Sequence, residues 1–326
     1  MHTIGVDVGG TNIEVGLVGD DHEVISRAKK NTPQDGPDAV LDVVADLVRE
    51  LLENVDDSAE KSGGDQTPAA VGLGIPGVVH QGQALTVPNL PNWDGPVDLV
   101  SGLTQRTGFP VALGNDANVG LLGEWLAGAA RGAENVLGVW LGTGVGGGLI
   151  LQGRPFHGAR GGAGEIGHIV VREGGALCSC GRRGCVEAYA GRRSMTSAVR
   201  SMIEAGRTSV LEELRLEHDK SSMTSGVWRD ALEADDELAI EVFATAVDTV
   251  GVGIGAVLNV LDVDLVVIGG GLAEKLGSDL ADRIETSTRP WVMRPSPDLQ
   301  FRVAELGDDS GVVGAAALAR ALVIAG

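Results

Sequence analysis

The chain has 326 residues, 43% of them hydrophobic and 21% charged, with 45 acidic against 25 basic side chains and a formal net charge of −20. That length suggests about two domains with sizeable cores, and the hydrophobic content excludes a disordered or fibrous chain. So acidic a surface repels phosphate backbones and anionic lipid, which disfavours nucleic-acid and peripheral membrane partners.

Fifty glycines, about 15% of the chain and roughly twice the usual share, fall in clusters without a period of three. Clustered glycine marks places where backbone adopts positive φ or approaches a ligand closely. Only five basic residues are lysines (Lys29, Lys30, Lys61, Lys220 and Lys275). Scarce lysine with excess carboxylate is the pattern expected in a high-salt cytoplasm, where the Debye length shrinks to ~3 Å at 1 M salt and self-repulsion is screened.

The chain opens with two β-rich runs, Thr3–Val8 and Ile13–Val18, around a Gly-Gly-Thr-Asn turn, and a third strand is expected at Glu23–Ala28. This is a hairpin-and-meander start, unlike the βαβ start of a dinucleotide-binding fold. Residues 1–12 lack the basic and apolar segments of a signal peptide.

Apolar residues recur at helical spacing over Asp38–Asn54, and Val55–Pro68 is acidic and polar enough to suggest an exposed loop. A strand is expected at Ala69–Ile75, then a Pro/Asn-rich loop over Val87–Pro96, a strand at Val111–Leu113 and a helix over Ala117–Ala130. A second hairpin follows at Asn135–Leu141 and Gly147–Leu151, and residues 157–191 carry little regular pattern. Helical pattern covers Gly191–Glu213 and Val227–Asn259, a buried strand Asp264–Ile268, and an alanine-rich helix Ser310–Ala325.

Val250–Gly271 is apolar, but Asn259, Asp262 and Asp264 interrupt it, so a helix followed by a strand is expected there and not a membrane span. A soluble cytoplasmic protein follows. Two meanders, each opening on a glycine turn, point to a duplicated α/β domain with a cleft between the copies.

Three glycine turns follow strands. In the first, Asp7 precedes Gly9, Gly10, Thr11 and Asn12, which places bare backbone N–H groups where phosphate oxygens can be held and an acid where Mg²⁺ can be held. Gly142, Thr143 and Gly144 repeat that logic in the second half. Gly269, Gly270 and Gly271 end a buried strand and suit a flat surface for adenine or ribose. Neither GxxxxGK[ST] nor a helix-opening GxGxxG after a first strand is present, which argues against P-loop and Rossmann enzymes.

Cys178, Cys180 and Cys185 are the only cysteines, and His168 stands ten residues before the first. The pattern His-x9-Cys-x-Cys-x4-Cys supplies a full tetrahedral Cys₃His set for Zn²⁺ with no open position, so the metal is expected to be structural.

DVGGTN at the start, GND before a helix, LGTGVGGG, GEIGH and CxCGxxGCxE occur in this order. The combination resembles the ROK family of sugar kinases (repressor, open reading frame, kinase). That resemblance implies an α/β fold of two actin-like ATPase (ribonuclease-H-like) domains closing around a hexose and ATP. The small domain is expected at 1–117 plus the C-terminal helix 308–326, and the large domain at 118–307 with the zinc loop 157–190. A homo-oligomer, dimer or tetramer, is expected.

The resemblance makes Asn115, Asp116, Glu165, His168 and Glu187 sugar ligands, joined by Asn89 and the backbone near Gly77. It makes Asp116 the general base that accepts the 6-hydroxyl proton of a hexose, glucose first, as the oxygen attacks the γ-phosphate of ATP. Asp116 is also placed to cap helix 117–130. His168 is expected to bind zinc through one ring nitrogen and face the sugar with the other.

Fructose, mannose, N-acetylglucosamine and N-acetylmannosamine remain alternative substrates, and polyphosphate or ADP alternative donors. A sugar-responsive repressor, which the family also contains, would carry a helix-turn-helix domain before the first phosphate motif. Here that motif begins at Gly5, and the net charge of −20 opposes DNA.

Overall fold

The computed structural model describes residues 1–62, 67–88, 90–294 and 296–325. The chain divides into two compact units, one of residues 1–132, 155–163 and 308–326, the other of residues 133–154 and 164–307.

The first unit opens with β1 (His2–Val8), β2 (Asn12–Val18) and β3 (Val24–Asn31), an antiparallel meander whose central strand β2 is buried at five of its seven positions. Helix α1 (Pro37–Ser62) follows. Val40, Val44, Leu47, Val48 and Leu51 form its buried stripe, as the helical spacing requires. The helix runs past Asn54 to Ser62, so residues 55–62, expected as loop, are helical, and Pro68 already belongs to the next strand. An acidic composition does not stop a helix that already has its buried anchor upstream.

Strand β4 (Pro68–Ile75) returns parallel to β1. A small sheet of β5 (Val78–His80), β6 (Gln83–Thr86) and β7 (Val97–Asp98) comes next, its strands flanking the loop expected at Val87–Pro96 in stretches where the sequence suggested no element. Helix α2 (Leu99–Thr107) starts at Asp98, whose Oδ1 accepts the Ser101 N–H at 3.0 Å. Strand β8 (Val111–Asn115) then completes a sheet of order β3-β2-β1-β4-β8 and leads into α3 (Asp116–Ala127).

The C-terminal helix (Asp309–Ala325) packs on β1, β4 and α3. Its approach depends on missing side chains. A Cβ on Gly72 would lie 1.7 Å from the Ala315 carbonyl oxygen, and one on Gly314 would lie 1.8 Å from that of Val119. Through the second contact α3 joins the first unit, whereas the sequence suggested a boundary at 117/118. The break falls instead after Gly132.

The second unit repeats the plan. Strands β9 (Val136–Leu141) and β10 (Val145–Leu151) pair antiparallel, and short β11 (Arg154–Pro155) continues the meander. The zinc-motif loop contains a 3₁₀ turn at Ile166–His168 and helix α4 (Glu187–Ala190). The two helical stretches expected next are each broken once, giving α5 (Arg192–Glu204), α6 (Leu211–Glu217), α7 (Ser225–Glu233) and α8 (Glu237–Leu261).

Helix α8 is, among the described residues, the one helix long and apolar enough to cross a membrane. It packs against α4, α5 and α10 (Ser278–Thr288), and Asp262 ends it in the left-handed conformation. Strand β12 (Leu265–Gly269), helix α9 (Gly271–Leu276) and strand β13 (Gln300–Val303) complete a sheet of order β11-β10-β9-β12-β13. Both sheets thus share one order, with the second strand antiparallel and the fourth parallel to the first. This is the ribonuclease-H-like plan, present twice.

Candidate active site

The first unit holds Asp7, Gly9, Gly10, Thr11, Asn12, Gly77, Asn115 and Asp116, while Asn89 lies outside the described residues. The turn after β1 is fixed by its own backbone. The Gly9 N–H donates to the Asn12 carbonyl at 2.9 Å, and the Thr32 hydroxyl donates to the Gly9 carbonyl at 2.7 Å. Asp7, the turn residues 9–12, Glu14 and Asp308 line a cavity of about 220 Å³.

Asp7 is half-buried and lies against Gly311 in the first turn of the C-terminal helix. Burial first, then the charges of Asp116, Glu14 and Asp308, push its carboxyl up to about 7. Four carboxylates of one unit therefore share an electrostatic neighbourhood, and a dication is the group that relieves it. Glu14 is also paired with Lys29.

At the β8–α3 junction the cap is Asn115, not Asp116. The Asn115 Oδ1 accepts the Asn118 N–H at 3.1 Å, and its Nδ2 donates to the Gly77 carbonyl at 2.9 Å. Asp116 is the first helical residue, its Oδ1 accepting the Ala117 N–H at 2.8 Å and the Asn115 Nδ2–H at 2.9 Å. The neighbouring amide side chain thus does the capping, and two donors hold the Asp116 carboxylate in a fixed orientation.

The second unit holds Gly142, Thr143, Gly144, Glu165, His168, Glu187, the three cysteines and Gly269, Gly270 and Gly271. His168, Cys178, Cys180 and Cys185 bring one ligand atom each to within 4.8 Å of one another. The Cys180 and Cys185 sulfurs are 3.8 Å apart, and Cys178 Sγ is 3.7 Å from His168 Nδ1. Zinc–sulfur bonds of ~2.3 Å in a tetrahedron give edges of about 3.8 Å, so the donor set fits zinc. The imidazole turns Nδ1 toward the Cys178 sulfur.

Glu165 is exposed and precedes the 3₁₀ turn, whereas Glu187 is half-buried at the start of α4. Its Oε1 accepts the Ser179 hydroxyl at 2.7 Å, and its Oε2 accepts the Val145 N–H at 3.1 Å. The turn between β9 and β10 is held further by α5, where the Arg192 and Arg193 N–H groups donate to the Gly142 and Thr143 carbonyls, both at 3.1 Å.

Sequence reasoning missed Glu14, Asp308, Ser179 and Arg192. Asp308 precedes an alanine-rich helix, so the sequence marks it as no more than a cap. Glu14 alternates outward on a strand, as any solvated charge would.

The ROK family model matches residues 3–322. The chain is 36% identical over 317 residues to a glucokinase of Halalkalibacterium halodurans, covering 95% of this chain and 92% of that one. It is 31% identical over 322 residues to a glucokinase of Thermotoga maritima, covering 98% and 97%. Among solved structures, a ROK family glucokinase from Streptomyces griseus in complex with glucose and AMPPNP aligns with a TM-score of 0.82 at 33% identity, covering 98% of this chain and all of that one. With the family matched over nearly its whole length and the sheet plan repeated in both units, this chain belongs to the ROK family.

Proposed function

We propose that this protein is an ATP-dependent hexose kinase that phosphorylates the 6-hydroxyl of glucose, giving glucose 6-phosphate and ADP. The observation that carries the proposal is the placement of Asp116. Its carboxylate is oriented by two donors at the end of β8, within electrostatic range of the half-buried Asp7 beside the glycine turn. Relatives that act on glucose support the choice of sugar.

In this mechanism Asp116 accepts the 6-hydroxyl proton as that oxygen attacks the γ-phosphorus, and the bond to the β-phosphate oxygen breaks to release ADP. General-base help is worth ~10²–10⁴-fold, with orientation supplying much of the rest. Asn115 holds the Asp116 carboxylate and, with Glu165, Glu187 and His168 Nε2, receives the sugar hydroxyls. Asn89 and the backbone near Gly77 complete the sugar contacts.

The turns at 9–12, 142–144 and 269–271 hold the nucleotide. Asp7 would hold the Mg²⁺ that accompanies it, which when bound neutralises phosphate charge. His168, Cys178, Cys180 and Cys185 would hold a structural zinc that orders the loop carrying Glu165 and Glu187. The active form is a cytoplasmic homo-oligomer, dimer or tetramer.

A panel of glucose, fructose, mannose, N-acetylglucosamine and N-acetylmannosamine with Mg-ATP, read by coupled ADP release, tests the proposal. Glucose should give the highest kcat/KM. A higher value with any other sugar reassigns the substrate, and no ADP release with any of them rejects the kinase.

A further inference from the structure

Among the described residues, Arg192 is a cation with no acidic partner. Its guanidinium donates to the Ser225 hydroxyl at 3.0 Å and to the Thr143 hydroxyl at 3.2 Å, both neutral acceptors. Among the described residues no carboxylate pairs with it. Burial pulls its pKa below the ordinary arginine value. Other arginines of this acidic chain do find acids, as Arg106 does with Asp38 and Asp42, Arg200 with Glu212 and Arg229 with Asp230.

The backbone position is unfavourable as well. Arg192 is the first residue of the thirteen-residue α5, whose first turn contains no acid, and Arg193 follows it. A positive side chain at a helix N-terminus faces the positive end of the helix dipole. A half-buried cation in that position is a net cost to the folded chain unless an anion arrives.

The surroundings say which anion. Thr143 sits in the turn between β9 and β10, and the N–H groups of Arg192 and Arg193 tie that turn to the start of α5. Ser225, the other acceptor, lies beside Gly271 at the end of the β12 turn. Arg192 is therefore anchored by one hydroxyl at each of the second unit's two glycine turns. A guanidinium has five N–H donors, and two are used here, so three remain without a protein partner among the described residues. The neutral hydroxyls hold the fork in place without cancelling its charge.

We infer that Arg192 is a nucleotide-binding residue whose guanidinium takes non-bridging oxygens of the donor's polyphosphate chain beside the Thr143 hydroxyl. This rests on the nucleotide reading of the glycine turns proposed above. Planar guanidinium is suited to paired phosphate oxygens, and hydrogen bonds between ionised partners are the strong ones.

The competing role is a neutral clamp joining Thr143 to Ser225, and two variants separate the two. Arg192→Gln keeps hydrogen bonding and removes charge, while Arg192→Lys keeps charge and loses the fork. Steady-state kinetics with Mg-ATP and glucose should show KM for ATP raised roughly ten- to hundredfold in Arg192→Gln with KM for glucose unchanged. Arg192→Lys should recover part of that loss.

Calorimetry with inorganic tripolyphosphate on the intact protein at fixed KCl should show binding that Arg192→Gln abolishes. Unchanged KM for ATP and unchanged tripolyphosphate binding in Arg192→Gln overturn the inference. Equal losses in both variants, or failure of both to fold, assign the clamp role and overturn it too. If the wild type phosphorylates no sugar yet binds tripolyphosphate through Arg192, the kinase proposal falls and the anion site stands.

Discussion

The Glu187 carboxylate accepts the Val145 backbone N–H at 3.1 Å, so the cysteine-rich loop is bonded directly to the turn that carries Thr143. The other oxygen of that carboxylate accepts the hydroxyl of Ser179, which lies between Cys178 and Cys180 in the chain, at 2.7 Å. A metal that orders this loop therefore also steadies the β9–β10 turn. Metal analysis should find about one zinc per chain, and chelation should lower the melting temperature while raising KM for sugar and for ATP together. An unchanged KM for ATP in the zinc-depleted enzyme would show that the Glu187–Val145 bond carries no such coupling.

Asp116 gives a sharper kinetic test. Asp116→Asn keeps the size of the side chain and an oxygen able to accept the Ala117 N–H that Oδ1 accepts at 2.8 Å. It removes the basic carboxylate, so kcat should fall ~10²–10⁴-fold while glucose still protects the protein from thermal unfolding. A folded variant with more than a tenth of wild-type kcat would remove Asp116 from the role of base.

Asp7 ties pH to stability. Its carboxyl titrates near 7 in the folded chain against 3.8 when unfolded, because burial and then the charges of Asp116, Glu14 and Asp308 disfavour the anion. Between those values the folded state keeps a proton that the unfolded chain has released. The contribution is thus fully present below pH 3.8 and is lost as pH rises through about 7. At about 1.4 kcal/mol per pH unit it spans at most about 4 kcal/mol. Asp7→Asn, measured without nucleotide, should melt higher than wild type at pH 8 and lose the difference near pH 4. The same variant should bind Mg-ATP poorly. Equal melting temperatures at pH 8 would mean that Asp7 is not strained by its surroundings.

The two meanders and their glycine turns were legible in the sequence because short-range alternation and Gly-Gly-Thr-Asn chemistry are local signals. The Cys₃His set was legible for the same reason, since its spacing is written within eighteen residues. Membership of α3 in the first unit was not, because it depends on Gly314 meeting Val119 across nearly two hundred residues. The β5–β7 sheet escaped notice because strands of two to four residues show no alternation to read. Arg192 was invisible for a different reason. An arginine at the start of an amphipathic helix has the look of surface charge, and only its neutral partners Thr143 and Ser225 reveal a cation with no acid paired to it among the described residues.

Salt dependence is the remaining expectation, and it follows from charge alone. With 45 acids against 25 bases, about twenty negative charges are uncompensated at pH 7. Pairing relieves only some of the crowding. Along α1, Asp38 and Asp42 meet Arg106 of α2 at 2.8 and 2.7 Å, Asp46 meets Arg49 at 2.8 Å and Glu50 meets Lys30 of β3 at 3.4 Å. Each is an exposed pair worth ~0–1 kcal/mol, and salt weakens it. The unpaired excess acts the other way. The Debye length falls from ~10 Å at 0.1 M to ~3 Å at 1 M, so repulsion between carboxylates spread over each unit is felt in dilute buffer and largely vanishes in strong salt. Net stabilities are only ~5–15 kcal/mol, which leaves little to oppose that repulsion. Melting temperature and activity should therefore rise steeply between 0.1 and 2 M KCl, with slow unfolding in dilute buffer. Melting curves across that range at fixed glucose decide the matter. A flat response would mean that the screened pairs and the screened repulsions cancel, and that the acidity has no part in holding this fold together.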